Sequence, residues 1–346
     1  MTEKIRETGE RVTIRTVAED AGVSTAAVSK VLRNAYGVSD TLRSKVLTSI
    51  EKLGYRPSTA ARGMRGKTYS IGLLLTEMEN AFLPKVVRGA KEVFGAANYQ
   101  VMIGVGEAQA SIEQSLIDSM MDMRMDGVLL VAPRLTGTVL AGYAAKTPLV
   151  VIGHHEPSAE TFDTVNSDDV AGAREAVCAL IASGYRDIHM TSLSQRRFDM
   201  PAGEGEVFTM RETGYLAAMQ EAGLSDRARI WRLREREGCE GPPLTDLLKV
   251  GPRPEAVFCW SDIHALELIN LAWSRGVRVP EDLAIVGYDD TPAAGMPIVG
   301  LSSVNQQGAD LGRQAARAML SRIEGRTTPE HILLEPALKT RRSSGS

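Results

Sequence analysis

Cysteine is scarce in this chain. There are three in 346 residues, Cys178, Cys239 and Cys259, widely spaced and with no CxxC pair. That excludes a disulfide framework and a cysteine zinc cluster, and it points to a reduced compartment. No apolar run approaches the ~18 residues that a membrane helix needs. Met1–Glu10 is charged and lacks the apolar stretch of a secretory signal. A cytoplasmic location with no membrane partner is therefore expected. Neither a GxSxG elbow nor an HExxH helix is present, so no catalytic residue is assigned and hydrolase chemistry has no support. His154 and His155 are adjacent, which on an extended segment sends them to opposite sides. With no further His or Cys cluster nearby, a loop at a pocket rim is expected there, with no metal and no cofactor.

What the chain does have is a polarised charge distribution. The net charge is −3, yet residues 1–68 carry 13 Lys+Arg against 7 Asp+Glu. A basic arm on an acidic body is the footprint of a nucleic-acid-binding module joined to something else.

The apolar patterning divides at the same place. From Thr13 to Tyr55 it is helical. Val17, Ala18, Ala21 and Val23 are interleaved with polar residues, and Gly22 breaks the run. Ser24 can cap a second helix bearing Val28 and Val31, and Ser39 or Asp40 can cap a third with Leu42, Val46, Leu47, Ile50 and Leu53 on one face. Beyond residue 68, short apolar runs alternate with helical stretches. The runs are 70–75, 100–104, 127–131, 148–152, 187–191, 255–259 and 283–287. The helical stretches lie near 83–97, 111–124, 168–183, 209–222, 262–275 and 307–323. Such alternation predicts parallel sheets covered by helices on both faces. Seven or more strands over about 275 residues suit two doubly wound lobes, with a ligand at the carboxyl ends of the strands.

The stretch Val17-Ala-Glu-Asp-Ala-Gly-Val-Ser-Thr-Ala-Ala-Val-Ser-Lys-Val-Leu32 has the anatomy of a helix-turn-helix. Ala21 is small where two helices cross, Gly22 permits the turn, Val23 plugs the gap and Ser24 caps the second helix. An ordinary helical hairpin accounts for the apolar positions. It does not account for the small uncharged face at 25–29 or for the basic surroundings of Arg15, Lys30, Arg33, Arg43 and Lys45.

This segment resembles the headpiece of the LacI/GalR family of transcriptional repressors. The resemblance continues through Val38-Ser39, Leu53-Gly54-Tyr55-Arg56-Pro57, Asn80-Ala-Phe82, Asp126-Gly127-Val128 and Asp168-Asp169-x-x-Gly172. It then runs on through Arg211-x-x-Gly214-Tyr215, Ser261-Asp262, Val286-Gly287-Tyr288-Asp289-Asp290 and Gln306, spanning about residues 12–342. It implies an all-α headpiece and an α/β core of two lobes of periplasmic-binding-protein type. The implied boundaries are an N-terminal arm (1–11), the headpiece (12–57), a hinge helix (58–68), the effector-binding and dimerisation core (69–342) and a tail (343–346).

The family's function is then the expectation: a regulator, most simply a repressor, that binds a palindromic operator in double-stranded DNA as a homodimer and answers to a small molecule, a sugar or sugar derivative. By resemblance, Thr25, Ala26, Ser29 and Lys30 face the bases. The first two are short, which suits methyl contacts to thymine, and Lys30 donates without the planar fork of an arginine. Thr13, Ser24, Arg33 and Ser39 are implied phosphate contacts. In the hinge, Ser58, Ala61 and Met64 are implied minor-groove contacts, with Met64 where the family's wedge is leucine. The implied effector residues are Phe82, Asp168, Asp169, Arg211, Trp260, Asp262, Asp289 and Gln306, with His264 as a further neighbour. Glu267 stands where the family carries a small residue, and residues 192–210 make a long loop before Arg211. No leucine heptad follows Arg341-Arg342, so a dimer is expected without a tetramerising coil.

Two other readings compete. A sugar-binding receptor fits the core but not the headpiece. A sugar-metabolising enzyme needs a phosphate loop, and Ala61-x-x-x-x-Gly66-Lys67-Thr68 offers that pattern in the wrong order, with a helix before it and a strand after.

Overall fold

The computed structural model describes residues 12–32, 36–55, 66–193, 196–197, 200–201, 206–233, 242–249 and 253–345. Arg33, Ser58, Ala61 and Met64, the arm 1–11 and the hinge through residue 65 lie outside these residues. The chain divides into two compact units between Thr68 and Tyr69.

The first unit holds α1 (Ile14–Ala21), α2 (Thr25–Leu32) and α3 (Asp40–Leu53). Thr13 caps α1 in a capping box with Thr16, and Gly22 closes that helix in the left-handed region at φ 65°. Ser24 Oγ accepts from Ala27 N at 3.2 Å, and Ser39 Oγ accepts from Leu42 N at 3.3 Å. The three helices close around Val17, Ala18, Val28, Val31, Val46 and Tyr55. Asp20 ties α1 to α3 by accepting from Lys52 Nζ at 2.7 Å and from Ser49 Oγ. Leu47 departs from the expected apolar face and is exposed.

The second unit contains two six-stranded sheets. The first is built from β1 (Ser70–Leu75), β2 (Gln100–Val105), β3 (Gly127–Val131), β4 (Leu149–Ile152), β5 (Asp163–Ser167) and, late in the chain, β13 (His331–Leu334). Their order is β13-β5-β4-β3-β1-β2, all parallel. Its helices are α4 (Leu83–Ala96), α5 (Ala110–Asp122), α6 (Gly137–Ala144) and α10 (Gly308–Ile323). Side chains alternate along β1, so Ile71, Leu73 and Leu75 pack with Val86 and Phe94 of α4 and Leu311 of α10, while Leu74 packs on the opposite face with Ile117 of α5 and Leu140 of α6. Both faces of the sheet are thus covered, as a parallel sheet requires.

The second sheet runs β14-β12-β11-β10-β6-β9, from β6 (Ile188–Leu193), β9 (Arg229–Leu233), β10 (Ala256–Cys259), β11 (Ala284–Tyr288), β12 (Ser302–Asn305) and β14 (Ala337–Lys339). Only β14 is antiparallel to its neighbour. Helices α7 (Asp169–Ala182) and α8 (Val207–Glu221) cover one face and α9 (Asp262–Ser274) the other. A minimal hairpin, β7 (Arg196–Arg197) with β8 (Met200–Pro201), precedes α8.

The chain passes between the two lobes three times: from β5 into α7, from β12 into α10, and from β13 to β14. The expected tail is held in place: Ser343 Oγ donates to the Ile285 carbonyl at 2.6 Å and accepts from Ser302 N at 2.8 Å. Among the described residues no helix is long and apolar enough to cross a membrane.

Candidate functional site

The face of α2 opposite Val28 and Val31 is open. Thr25, Ala26 and Lys30 are exposed and Ser29 is half-buried, while Val28 is fully buried. Thr13, Ser24 and Ser39 share a position type: each precedes a helix and accepts a hydrogen bond from its first turn. Helix N-termini present backbone N–H groups and positive dipole ends, which suit phosphate oxygens.

In the second unit a cleft of about 1050 Å³, counting its open mouth, lies between the lobes. Its walls come from the carboxyl ends of the strands. Thr76 follows β1, Ala132 β3, Gly153 β4, Trp260 β10, Asp289 β11 and Gln306 β12. Ligands collect at this edge of open α/β sheets.

The central group is Arg211 on α8. Its Nε donates to Asp169 Oδ1 at 2.7 Å, it also donates to the Trp260 carbonyl, and its Cζ lies 3.7 Å from the Tyr288 ring centroid. Asp169 accepts in addition from His155 Nε2 at 2.9 Å, which is therefore protonated on that nitrogen. Burial alone would raise the Asp169 pKa, but the Arg211 charge and the His155 hydrogen bond outweigh it and hold the carboxyl below its ordinary value. The pair forms because α7 and α8 approach closely. A Cβ on Gly214 would collide with the Val170 carbonyl, and one on Gly172 with the Tyr288 hydroxyl.

Asp289 sits at φ 108°, a backbone region that side chains rarely adopt. Its carboxylate accepts from Gln306 Nε2 at 2.5 Å and from Asn80 Nδ2 of the opposite lobe at 3.0 Å. Burial dominates its titration: the pKa is pushed up to about 7 despite the nearby Arg211. Two more contacts join the lobes, from Lys85 Nζ to the Asp290 carbonyl and between Arg134 and Glu206 at 3.8 Å.

Of the residues expected at the effector site, Phe82, Asp169, Arg211, Trp260, Asp289 and Gln306 line the cleft, and His264 does too. Asp168 and Asp262 do not. Asp168 is the N-cap of α7, and its carboxylate accepts from Ala171 N at 2.9 Å. Asp262 is fully buried beneath the loop after β11, accepting from Ser303 Oγ at 2.6 Å, Thr291 N at 2.7 Å and Thr291 Oγ1 at 2.8 Å. A Cβ on Gly287 would collide with it. Asp262 therefore shapes the Asp289–Thr291 loop from below. Glu267 is exposed and does not line the cleft.

Thr76, Arg134 and Ser167, which no motif marks, also line it, as does Ser261, which stood in a noted motif but not among the expected effector residues. Nothing distinguishes such residues before folding; each is marked only by following, or ending, a strand. Asn80 and Tyr288 lay inside noted motifs, but their roles depend on contacts across 209 residues of sequence and on ring stacking. Among the described residues no cluster of His, Cys, Asp or Glu could hold a metal ion.

Comparison with known proteins follows the same two-part division. Residues 13–58 match the model described as "Bacterial regulatory proteins, lacI family", and residues 177–344 match "Periplasmic binding protein-like domain". The chain is 31% identical over 340 residues to the ribose operon repressor of Haemophilus influenzae, covering 96% of this chain and 98% of that one. Among solved structures it is similar to a transcriptional regulator CelR–cellobiose complex, at TM-score 0.68 and 28% identity, over 96% of this chain and 100% of that one. It shares its fold with the lac repressor dimer bound to operator and an anti-inducer, at TM-score 0.80 and 20% identity, over 97% of this chain and 100% of that one.

Proposed function

This chain belongs to the LacI family of bacterial regulatory proteins, and from that premise we propose that it is a cytoplasmic, non-enzymatic transcriptional repressor. It binds a palindromic operator as a homodimer through α2, and a small carbohydrate-type effector in the interlobe cleft controls that binding. The observation that carries the reading is the presence in one chain of an open, capped second helix and a cleft crossed by three chain passages. A ligand bridging two lobes can bias their arrangement only by its different affinity for each arrangement. Thr25, Ala26, Ser29 and Lys30 read bases; Thr13, Ser24, Arg33 and Ser39 hold phosphates; Ser58, Ala61 and Met64 act in the minor groove. In the cleft, Arg211 and Asp169 fork across ligand hydroxyls and Trp260 and Phe82 offer apolar faces.

The test is a gel shift of the full chain on palindromic operator fragments at two salt concentrations, with and without neutral sugars. Specific binding that weakens with salt and is released by a sugar is expected. Binding that is equal on all sequences, or turnover of a sugar or of ATP, contradicts the proposal.

A further inference from the structure

Strand β9 closes one end of the second sheet, with β6 on its inner side and, among the described residues, no strand on its outer side. A strand so placed keeps a row of N–H and C=O groups unpaired along its outer edge. A groove of about 1410 Å³, counting its open mouth, lies against it, and four consecutive residues of the strand line that groove: Arg229, Ile230, Trp231 and Arg232. Successive side chains of a strand point to opposite faces. A groove that touches all four therefore runs along the edge of β9 and not on one face of the sheet. It shares no lining residue with the interlobe cleft.

The groove combines an apolar middle with unengaged positive charge. Ile230 and Trp231 are half-buried, and the indole is fixed because its Nε1 donates to His189 Nδ1 at 3.1 Å. Burial lowers the His189 pKa despite the neighbouring Asp187, so at neutral pH the imidazole is uncharged. Its remaining N–H faces Asp187 Oδ1 at 3.3 Å, which engages that carboxylate. Arg232 is tied to Glu212 at 2.6 Å. Arg227 and Arg229 are exposed and form no ion pair among the described residues, so they outnumber Asp226, the lining carboxylate left unengaged. Pairing this edge with the same edge of another copy would bring cationic strands together, which like charges oppose. A strand bearing carboxylates meets the reverse situation.

We infer that the edge of β9 docks an extended acidic segment of a partner protein, one that alternates carboxylate and apolar side chains. The segment adds to the sheet as a further strand, with its backbone hydrogen-bonded to β9, its carboxylates at Arg227 and Arg229, and its apolar side chains against Ile230 and Trp231.

The experiment uses the full chain and a fluorescein-labelled peptide of alternating glutamate and valine. Binding is followed by anisotropy, and hydrogen exchange is read along residues 229–233. The peptide is expected to bind and to slow the exchange of the β9 amides. A peptide with lysine in place of glutamate, or with proline at its centre, is expected to bind about tenfold or more weakly, since one brings like charge and the other lacks edge hydrogen bonds. Arg229→Glu is expected to weaken the glutamate peptide about tenfold, Arg229→Lys to retain it, and Lys30→Ala in the basic headpiece to leave it unchanged. Absence of binding, equal binding of the lysine or proline peptide, or a loss confined to Lys30→Ala overturns the inference. So does sedimentation showing copies assembled through this edge and separated by Arg229→Glu, which gives the edge to a second copy. Peptide binding that appears only once residues 234–241 are replaced by a glycine-serine linker gives it to the chain's own segment and overturns the inference as well.

Discussion

In the headpiece Thr25 and Ala26 are short and exposed on the open face of one helix, whereas in the cleft Arg211 and Asp169 are buried and fixed as a pair across two elements. Thr25 and Ala26 project from a helix that adds Val28 and Val31 to a shared core of six buried side chains. Arg211 and Asp169 lie 3% and 1% exposed among the packed faces of α7 and α8. The difference follows from the partners. DNA supplies its own dense charge and rigid groove, so a protein surface can stay open and read edges. A small neutral ligand supplies neither, so the site must be preorganised and dry. Substitutions should therefore have unequal consequences in the two units.

The largest effect is expected at Arg211. Arg211→Ala leaves Asp169 buried without its cation, and breaking a buried pair of this kind costs about 3–5 kcal/mol. Urea unfolding should show that loss together with loss of effector binding. Unchanged stability would mean that the pair is looser than its 2.7 Å contact implies.

Next comes a pH dependence. Burial raises the pKa of Asp289, and likewise of Glu113 on α5, to about 7. The folded chain then keeps these protons over a range in which the unfolded chain, titrating near the ordinary carboxyl values, has released them. Their contribution to stability is fully present below pH 4, declines as pH rises toward 7 and is level above it. Asp289→Asn should flatten part of that decline in melting temperatures recorded from pH 5 to 8. An identical slope in variant and parent would remove Asp289 from the account.

Gly214→Ala comes third. It pushes a methyl group into the Val170 carbonyl and forces α7 and α8 apart, with overpacking costs of about 1–3 kcal/mol. Effector affinity should fall along with stability, because the same approach sets the Arg211–Asp169 contact; full effector affinity at reduced stability would separate the two. The smallest effect is expected in the headpiece, where Ser24→Ala removes the cap of α2 at a cost of about 1 kcal/mol. Hydrogen exchange in the full chain should show faster α2 amides with the second unit unaltered.

The same contrast explains what the sequence could show. The headpiece is local: caps at Ser24 and Ser39, the turn at Gly22 and the inward Val28 and Val31 all follow from neighbours within a few residues, and all are found in place. Strands β1 and β3 were legible because their apolar runs are buried on both faces. Strands β5 (Asp-Thr-Val-Asn-Ser) and β12 (Ser-Ser-Val-Asn) were not. They are buried through polar groups whose partners are distant, as when Arg322 and Arg326 reach Asp163, or Ser343 reaches Ser302. In the cleft, the motif Asp168-Asp169 identified the right turn but not which carboxylate points inward. One residue decides between capping α7 and meeting Arg211, and only the packing of α8 settles it. Asp262 was displaced from the cleft by the same kind of step, with its neighbour Ser261 lining the wall.

The central claim is that the open surface of one unit and the prepaired cleft of the other are energetically linked. It is tested most directly by measuring operator affinity of the full chain, by fluorescence anisotropy, with and without a saturating neutral sugar that binds the cleft. The account predicts a change of about tenfold or more in operator affinity, matched by an equal change in sugar affinity when operator is bound. Operator affinity that is the same with and without bound sugar would contradict it.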